Sequence, residues 1–392
     1  MHWCHTTTFP PSLVQPLITY SHRLIAYLQI IWCFHVALLV DLIMDLIHKF
    51  LNLVAPPFTF FSLCFVLPPL LLYRSFLWVF NSIFSEDVVG KVILITGAAS
   101  GIGEHLAYQY AKKGARLALV ARREQLLEEV ANRAGELGSP HVLMIIADVQ
   151  KVDDCSRLVE ETIGHFGRLD HLVNCAGIMS MSMLEEINDI SSFRTVMDTN
   201  FWGSAYTTRF AIPYLRDSGG KIIVLSSSAS WLPAPRLSIY NASKAALLIF
   251  FETLRVELGS DVHVLIVTPG FIESEMIQGK VLTSEGRMDV DQDMRDILVS
   301  ATPIRTVSGC AKAIVNSACR GDKYLTDPAW FRMTWLWKVF CPDVLEWCYR
   351  LLQLTRPGEP AAGAPSKKVL DMTGGKKVLY PETVQTPELK KE

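Results

Sequence analysis

Tyr240-Asn241-Ala242-Ser243-Lys244 sets a phenol and an ammonium four residues apart, which on a helix places them on one face. The pair suits acid–base chemistry, because a nearby cation favours phenolate and draws the tyrosine pKa toward working pH. Alone, such a spacing reads as a solvated helix face. Thirteen residues earlier, Ser227 follows the apolar run Ile222–Leu225, at the carboxyl edge of a strand, where open α/β sheets bind ligands. Its hydroxyl is placed to bind a substrate carbonyl or alkoxide oxygen beside Tyr240. Ser226 and Ser228 are its neighbours, so spacing alone selects Ser227.

A second constellation is Thr96-Gly97-Ala98-Ala99-Ser100-Gly101-Ile102-Gly103, which follows the apolar run Val92–Ile95 and opens a helical pattern at Glu104. Glycines there permit a tight turn and let backbone amides approach a pyrophosphate that the helix N-terminus attracts. A glycine-rich loop alone is a weak signal, but strand-before and helix-after strengthen it. NAD-binding folds carry an acidic residue about 20 positions on for the ribose hydroxyls. This chain offers Ala121-Arg122-Arg123 instead. Guanidinium forks suit phosphate, so the sequence favours NADP, with NAD as the alternative. Asp148 fits an acceptor for the adenine edge, and Asn174-Cys175-Ala176-Gly177 fits a loop closing over the cofactor.

These residues need a sheet to hold them. Val92–Ile95, Leu117–Val120, Val142–Ala147, Leu172–Val173, Ile222–Leu225 and Val262–Val267 are short, nearly uninterrupted apolar runs, the pattern of strands buried on both faces. Amphipathic segments such as Glu124–Leu137, Val152–Phe166 and Ser243–Leu258 alternate with them, which implies a doubly wound parallel sheet of Rossmann type. The polar segment Glu275–Arg305 is long enough for a substrate lid.

The 392 residues carry 37 basic and 39 acidic side chains, a net charge of -2, which argues against nucleic-acid binding. Nine cysteines form no C-x-x-C pair, so a reduced, cytosol-facing protein without a metal site is expected. The mean hydropathy of +0.26 traces to the N-terminus. Leu24–Val40 and Phe50–Tyr73 are apolar, and no small-x-small cleavage pattern follows Val40, so the region reads as an uncleaved signal-anchor. Residues 44–84 form the hydrophobic anchor. Pro56-Pro57 and Pro68-Pro69 are expected to break it into a hairpin that enters a lipid monolayer and returns. The catalytic domain covers 85–327. The aromatic segment 328–355 is expected to be helical and to lie against lipid or a partner subunit, which admits a homodimer. Residues 356–392, rich in Pro, Gly and Lys, read as a disordered tail.

Taken together, T-G-x-x-x-G-x-G, N-C-A-G, Ser227, Y-x-x-x-K and Pro269-Gly270 resemble the short-chain dehydrogenase/reductase family over about Gly90 to Asp327. The resemblance implies that Tyr240 is the general acid/base. Lys244 would hold the nicotinamide ribose and lower the tyrosine pKa. Asn200, in Asp198-Thr199-Asn200-Phe201, matches an asparagine that holds a water of the proton relay. Ser274 stands where many members carry threonine on the carboxamide. The proline-bearing anchor followed by Phe84-Ser85-Glu86-Asp87-Val88-Val89-Gly90-Lys91 resembles the plant 11-beta-hydroxysteroid dehydrogenase-like group called steroleosins, which sit on oil bodies. Residues 1–43 lie outside that resemblance and read as an upstream extension. The resemblance implies an NADP-dependent hydroxysteroid dehydrogenase at the lipid-droplet surface, with the endoplasmic reticulum as the alternative location. A sterol-binding coat protein and a reductase of a non-steroid lipid are the rival functions. The intact serine–tyrosine–lysine set argues against a pure binder.

Overall fold

The computed structural model describes residues 11–355 and 359–385. The chain falls into two compact units, one ending at Val79 and one running from Phe80 onward.

The first unit is a helix, α1 (Pro11–Ile83). Residues 50–73 carry no charged side chain, while Asp45 and Lys49 pair at 2.7 Å just before them. Here the structure corrects the sequence reading, since helix α1 runs unbroken through both proline pairs. Each proline deletes one backbone donor, but its fixed φ is compatible with a helix. In an apolar phase the alternative to a helix is a set of unpaired backbone groups at several kcal/mol each, so the helical path is retained. At about 1.5 Å per residue, residues 50–73 extend roughly 36 Å, against about 30 Å of bilayer hydrocarbon.

In the second unit, among the described residues, seven parallel strands form one sheet in the order β3-β2-β1-β4-β5-β6-β9. They are β1 (Val92–Thr96), β2 (Arg116–Ala121), β3 (Val142–Ile146), β4 (His171–Asn174), β5 (Lys221–Leu225), β6 (His263–Pro269) and β9 (Tyr324–Asp327), while β7 (Lys280–Leu282) and β8 (Met288–Val290) make a separate antiparallel hairpin. The six strands expected from apolar runs are present; β9, short and partly polar, completes the edge beside β6. Successive residues of β1 serve opposite layers. Ile93 and Ile95 join a core with α2 (Gly101–Ala111), α3 (Glu124–Glu136) and α9 (Val307–Arg320). Val92 and Leu94 join a core with α4 (Val152–Phe166), α6 (Gly203–Ser218) and α7 (Ser238–Leu258). This is why the strands read as apolar runs rather than as alternation. Strand order reverses between β1 and β4, so a crevice opens at their carboxyl ends.

At the other end of the strands, the starts of β4 and β5 are pinned by Glu86. Its carboxylate meets Lys221 Nζ at 2.5 Å and the buried His171 Nε2 at 3.3 Å, and pairs with Lys91. Burial works against a charge on Glu86, but these hydrogen bonds hold its carboxyl well below the ordinary range.

A short helix α5 (Arg194–Met197), a π-helical turn (Asp198–Trp202) and α6 form one continuous path. The lid segment contains the β7–β8 hairpin and α8 (Gln292–Val299). Beyond β9, α10 (Arg332–Phe340) and α11 (Pro342–Gln353) follow. Their side chains face two ways. Leu345, Cys348, Tyr349, Leu352 and Gln353 line the central cavity, whereas Trp335, Trp337, Phe340 and Trp347 face outward.

The expected disordered tail is corrected as well. Residues 365–385 form α12 (Pro365–Thr373), α13 (Lys376–Leu379) and α14 (Glu382–Gln385). Leu370, Tyr380 and Val384 are buried with Ile277 and Val299 of the lid. Lys376 Nζ lies 2.6 Å from the buried Asp296, Arg295 donates to the Val384 carbonyl at 2.9 Å, and the Ile304 amide donates to the Leu379 carbonyl at 3.1 Å. Few apolar groups suffice to order the segment because the lid supplies the rest of their core. Residues 356–358 and 386–392 of the expected tail lie outside the described residues, as do residues 1–10 of the N-terminal extension.

Candidate active site

Helix α7 begins two residues before Tyr240 and carries Lys244 one turn on. Both side chains are buried and line one cavity of about 1110 Å³. The Tyr240 hydroxyl shares that cavity with Ser227, whose influence on the phenol is to lower its pKa. Ser227 caps a 3₁₀ turn just beyond β5, its Oγ accepting from the Ala229 amide at 3.1 Å. Of the three serines, Ser226 has its Oγ spent on the Lys244 carbonyl at 2.9 Å, while Ser227 is the one whose hydroxyl acts on the Tyr240 phenol.

Lys244 Nζ donates to the Leu225 carbonyl at 2.9 Å and lies 5.8 Å from the centre of the Tyr240 ring. Burial lowers the Lys244 pKa to about 8. Burial also pushes the Tyr240 phenol up to about 12, opposed by the influence of Ser227. The sequence expected the ammonium to draw the phenol down, whereas burial raises it. Below pH 8, therefore, Tyr240 is a protonated acid beside a cation.

Asn200 sits in the π-helical turn, a rare distortion that recurs at functional sites. It does not line the cavity. Its Oδ1 accepts from the Ile178 amide at 2.8 Å, and its Nδ2 donates to the Ile178 carbonyl at 3.0 Å and to Ser243 Oγ at 2.9 Å. The side chain thus braces the loop after β4.

At the other end of the cavity lie Gly97, Ser100, Gly101, Ile102 and Gly103, with Arg122, Arg123, Asp148, Ala176, Gly177, Pro269, Gly270 and Ser274 around them. Gly97 adopts φ +68°, and a Cβ there would stand 2.7 Å from the Ala176 Cα, so only glycine lets the two loops touch. Gly270 is required by packing, because a Cβ would strike the Phe331 ring at 2.4 Å. Ser274 Oγ donates to the Ile272 carbonyl at 3.1 Å. Thr96 and Asn174 stand behind the wall. The Thr96 hydroxyl accepts from the Cys175 amide at 3.2 Å, and Asn174 donates to Thr208 at 2.8 Å. Both position the loops without facing the cavity. Arg122 is largely exposed, 3.9 Å from Asp148. Arg123 is the inward arginine, donating to Ser100 Oγ at 2.8 Å and to Glu275 at 3.2 Å.

Residues 91–284 match the short chain dehydrogenase family. The chain is also 61% identical over 349 residues to a Sesamum indicum protein called 11-beta-hydroxysteroid dehydrogenase A, covering 89% of this chain and 100% of that one. The chain belongs to the short-chain dehydrogenase family. As such it is an oxidoreductase acting on CH–OH groups. Arabidopsis thaliana 11-beta-hydroxysteroid dehydrogenase 1A is 59% identical, again covering 89% and 100%. An alcohol dehydrogenase from Thermococcus sibiricus, solved with 5-hydroxy-NADP, shares the fold at TM-score 0.51 and 25% identity, over 60% of this chain and 95% of that one.

A short-chain dehydrogenase uses a nicotinamide dinucleotide, which supplies or accepts the hydride. The residues present fit one. The first turn of α2 has no side-chain cap, leaving its amides available to an anion. Among the described residues Thr199 Oγ1, on the cavity wall, is buried without a hydrogen-bond partner, a polar atom that a bound ligand would satisfy. Sequence reasoning passed over Thr199, although it stands directly before Asn200. It also passed over Glu275, whose partner Arg123 is 152 positions away.

Proposed function

We propose that this enzyme interconverts a hydroxyl and a ketone on a sterol-like substrate with NADP(H). One observation carries the reading: the cavity joins two unlike compartments at Tyr240 and Ser227. On one side are the glycine loop and the arginines. On the other are Leu232, Leu237, Phe271, Leu298, Phe331 and Leu352, an apolar wall suited to a rigid hydrocarbon ligand. In this reading the Ser227 hydroxyl donates to the substrate oxygen, Tyr240 delivers or removes the proton there, and Lys244 stabilises phenolate as it forms. The apolar wall excludes water. The relatives called 11-beta-hydroxysteroid dehydrogenase support the steroid class, and the NADP derivative in the Thermococcus enzyme supports the cofactor.

Helix α1 supports a lipid-phase location. A helix apolar all round requires a hydrocarbon phase, and residues 29–83 are long and apolar enough to enter one. We place the enzyme at the lipid-droplet surface, with the endoplasmic reticulum as its other lipid phase. Initial rates with a panel of hydroxysteroids, paired with NADP and with NAD, test the activity. No steroid oxidised or reduced above a non-steroid alcohol control would remove the sterol reading.

A further inference from the structure

Arg123 and Glu275 come from loops that the sheet brings together at the mouth of the dinucleotide compartment, after β2 and after β6. Arg123 Nη1 reaches both Glu275 oxygens, at 3.2 and 3.3 Å, while Nη2 donates to Ser100 Oγ at 2.8 Å. Ser100 is the cap residue of α2. The carboxylate therefore lies against the guanidinium beside the helix N-terminus, in an arrangement that would receive any anion equally well. The pair is largely buried, with side-chain exposures of 25% and 17%. Lys280 Nζ stands on the far side of the same carboxylate, 3.7 Å from Oε2.

We propose that Glu275 is an internal stand-in for the cofactor 2′-phosphate. It occupies Arg123 in the ligand-free protein and yields it when a 2′-phosphate enters. This rests on the NADP reading and assigns a determinant to it. A dianionic phosphate on Arg123 and Ser100 would face the Glu275 carboxylate at contact distance. Like charges so placed repel, and Lys280 is already in reach to keep the displaced carboxylate paired. A cofactor with a ribose hydroxyl at that position has no charge with which to compete, and Glu275 stays on Arg123. The glutamate thereby weakens selection for NADP that the arginine alone would impose, and it couples the adenosine end of the site to the lid segment on which it rides.

The test uses the full-length protein and two probes that differ only by the phosphate, 2′,5′-ADP and 5′-AMP, with dissociation constants measured by calorimetry. Glu275→Gln should raise the preference for 2′,5′-ADP over 5′-AMP by about fivefold or more, the order of one partly exposed ion pair. Adding Arg123→Ala to Glu275→Gln should abolish that gain. A preference unchanged or lowered in Glu275→Gln overturns the proposal, as does a gain that survives Arg123→Ala. If wild type shows no preference but Glu275→Gln acquires one, the stand-in role holds and the wild-type NADP assignment fails. If neither protein discriminates, both fail. Matched thermal melts of the variants exclude misfolding as the cause.

Discussion

Lys244 Nζ donates to the carbonyl oxygen of Leu225, the last residue of β5, at 2.9 Å. The bond ties the catalytic helix α7 to the end of the strand that leads to Ser227. The phenol of Tyr240, the Lys244 cation and the Ser227 hydroxyl, to which we assign the proton transfer and the substrate oxygen, therefore hang from one strand–helix junction. The ammonium is held in place before any ligand arrives, at the cost of burying it.

That burial has a sign. Lys244 has its pKa lowered from 10.5 to about 8, so between those values the unfolded chain binds more protons and stability rises with pH. Below about pH 8 the full penalty is present. Lys244→Met should therefore raise the melting temperature at pH 7, by the equivalent of roughly 1–3 kcal/mol, and lose activity. The gain should shrink toward pH 10. Melts of cofactor-free protein at both pH values check this, and a variant less stable than wild type at pH 7 would count against it.

Tyr240→Phe should lower kcat by about 10²–10⁴-fold, the usual worth of a general acid–base group. Cofactor affinity should be nearly unchanged, because the ring remains and only the hydroxyl is lost. Wild-type turnover in this variant would dismiss Tyr240 as the proton donor.

The two arginines should separate. Arg123 faces Ser100 within the cavity, while Arg122 is largely exposed. Arg123→Ala should reduce kcat/KM with NADP by at least about tenfold, consistent with losing a charge-assisted hydrogen bond, and Arg122→Ala by less. Equal losses would mean that the site reads charge at its rim rather than a placed guanidinium.

The C-terminal helices should act on substrate. Leu370 is fully buried against Ile277 and Val299 of the lid, so Leu370→Ala should cost about 2–5 kcal/mol of packing. The lid supplies Met276, Ile277, Leu298 and Ser300 to the cavity. The substrate KM should therefore rise more than the cofactor KM, and hydrogen exchange should quicken over residues 292–305. Equal rises in both constants would be evidence against a wall-positioning role.

The anchor offers a cellular test. Replacing Pro56, Pro57, Pro68 and Pro69 with leucine preserves hydrophobicity and removes every constraint the pairs impose on the backbone. If the prolines carry the droplet address, the variant stays in the endoplasmic reticulum. Arrival at droplets as efficient as the parent's would leave apolarity alone as the signal.

Much of this was legible in the sequence because it is local. Tyr240 and Lys244 share a face through helical periodicity alone, and the glycine loop carries its own turn chemistry. The strands announce themselves as apolar runs because both faces are buried. What escaped is what depends on partners far along the chain. Glu275 meets Arg123 across 152 positions, and Glu86 meets His171 across 85. Leu370, Tyr380 and Val384 form no amphipathic period, since Leu370 and Val384 sit on different short helices, Tyr380 lies just past the end of another, and their core belongs to the lid. The proline pairs misled because the lost donors and ring clashes they bring to a helix weigh less in an apolar phase, where a broken helix leaves backbone groups unpaired.

The placement of those last helices bears on how the enzyme is made. A chain leaves the ribosome from its N-terminus, and domains begin to fold as they emerge. Strands β1 to β6, with Tyr240 and Lys244, are complete by Pro269, yet the groups that seat the lid, Leu370, Tyr380 and Val384, come about a hundred residues later. For that interval the nascent protein holds an assembled proton donor beside an apolar chamber with an unbraced wall. A message cut short after β9 would yield a product able to bind nucleotide but exposing that chamber, and such a surface is what chaperones and proteases recognise. Translation through the final helices is therefore the step that turns a cofactor-binding sheet into a sealed enzyme.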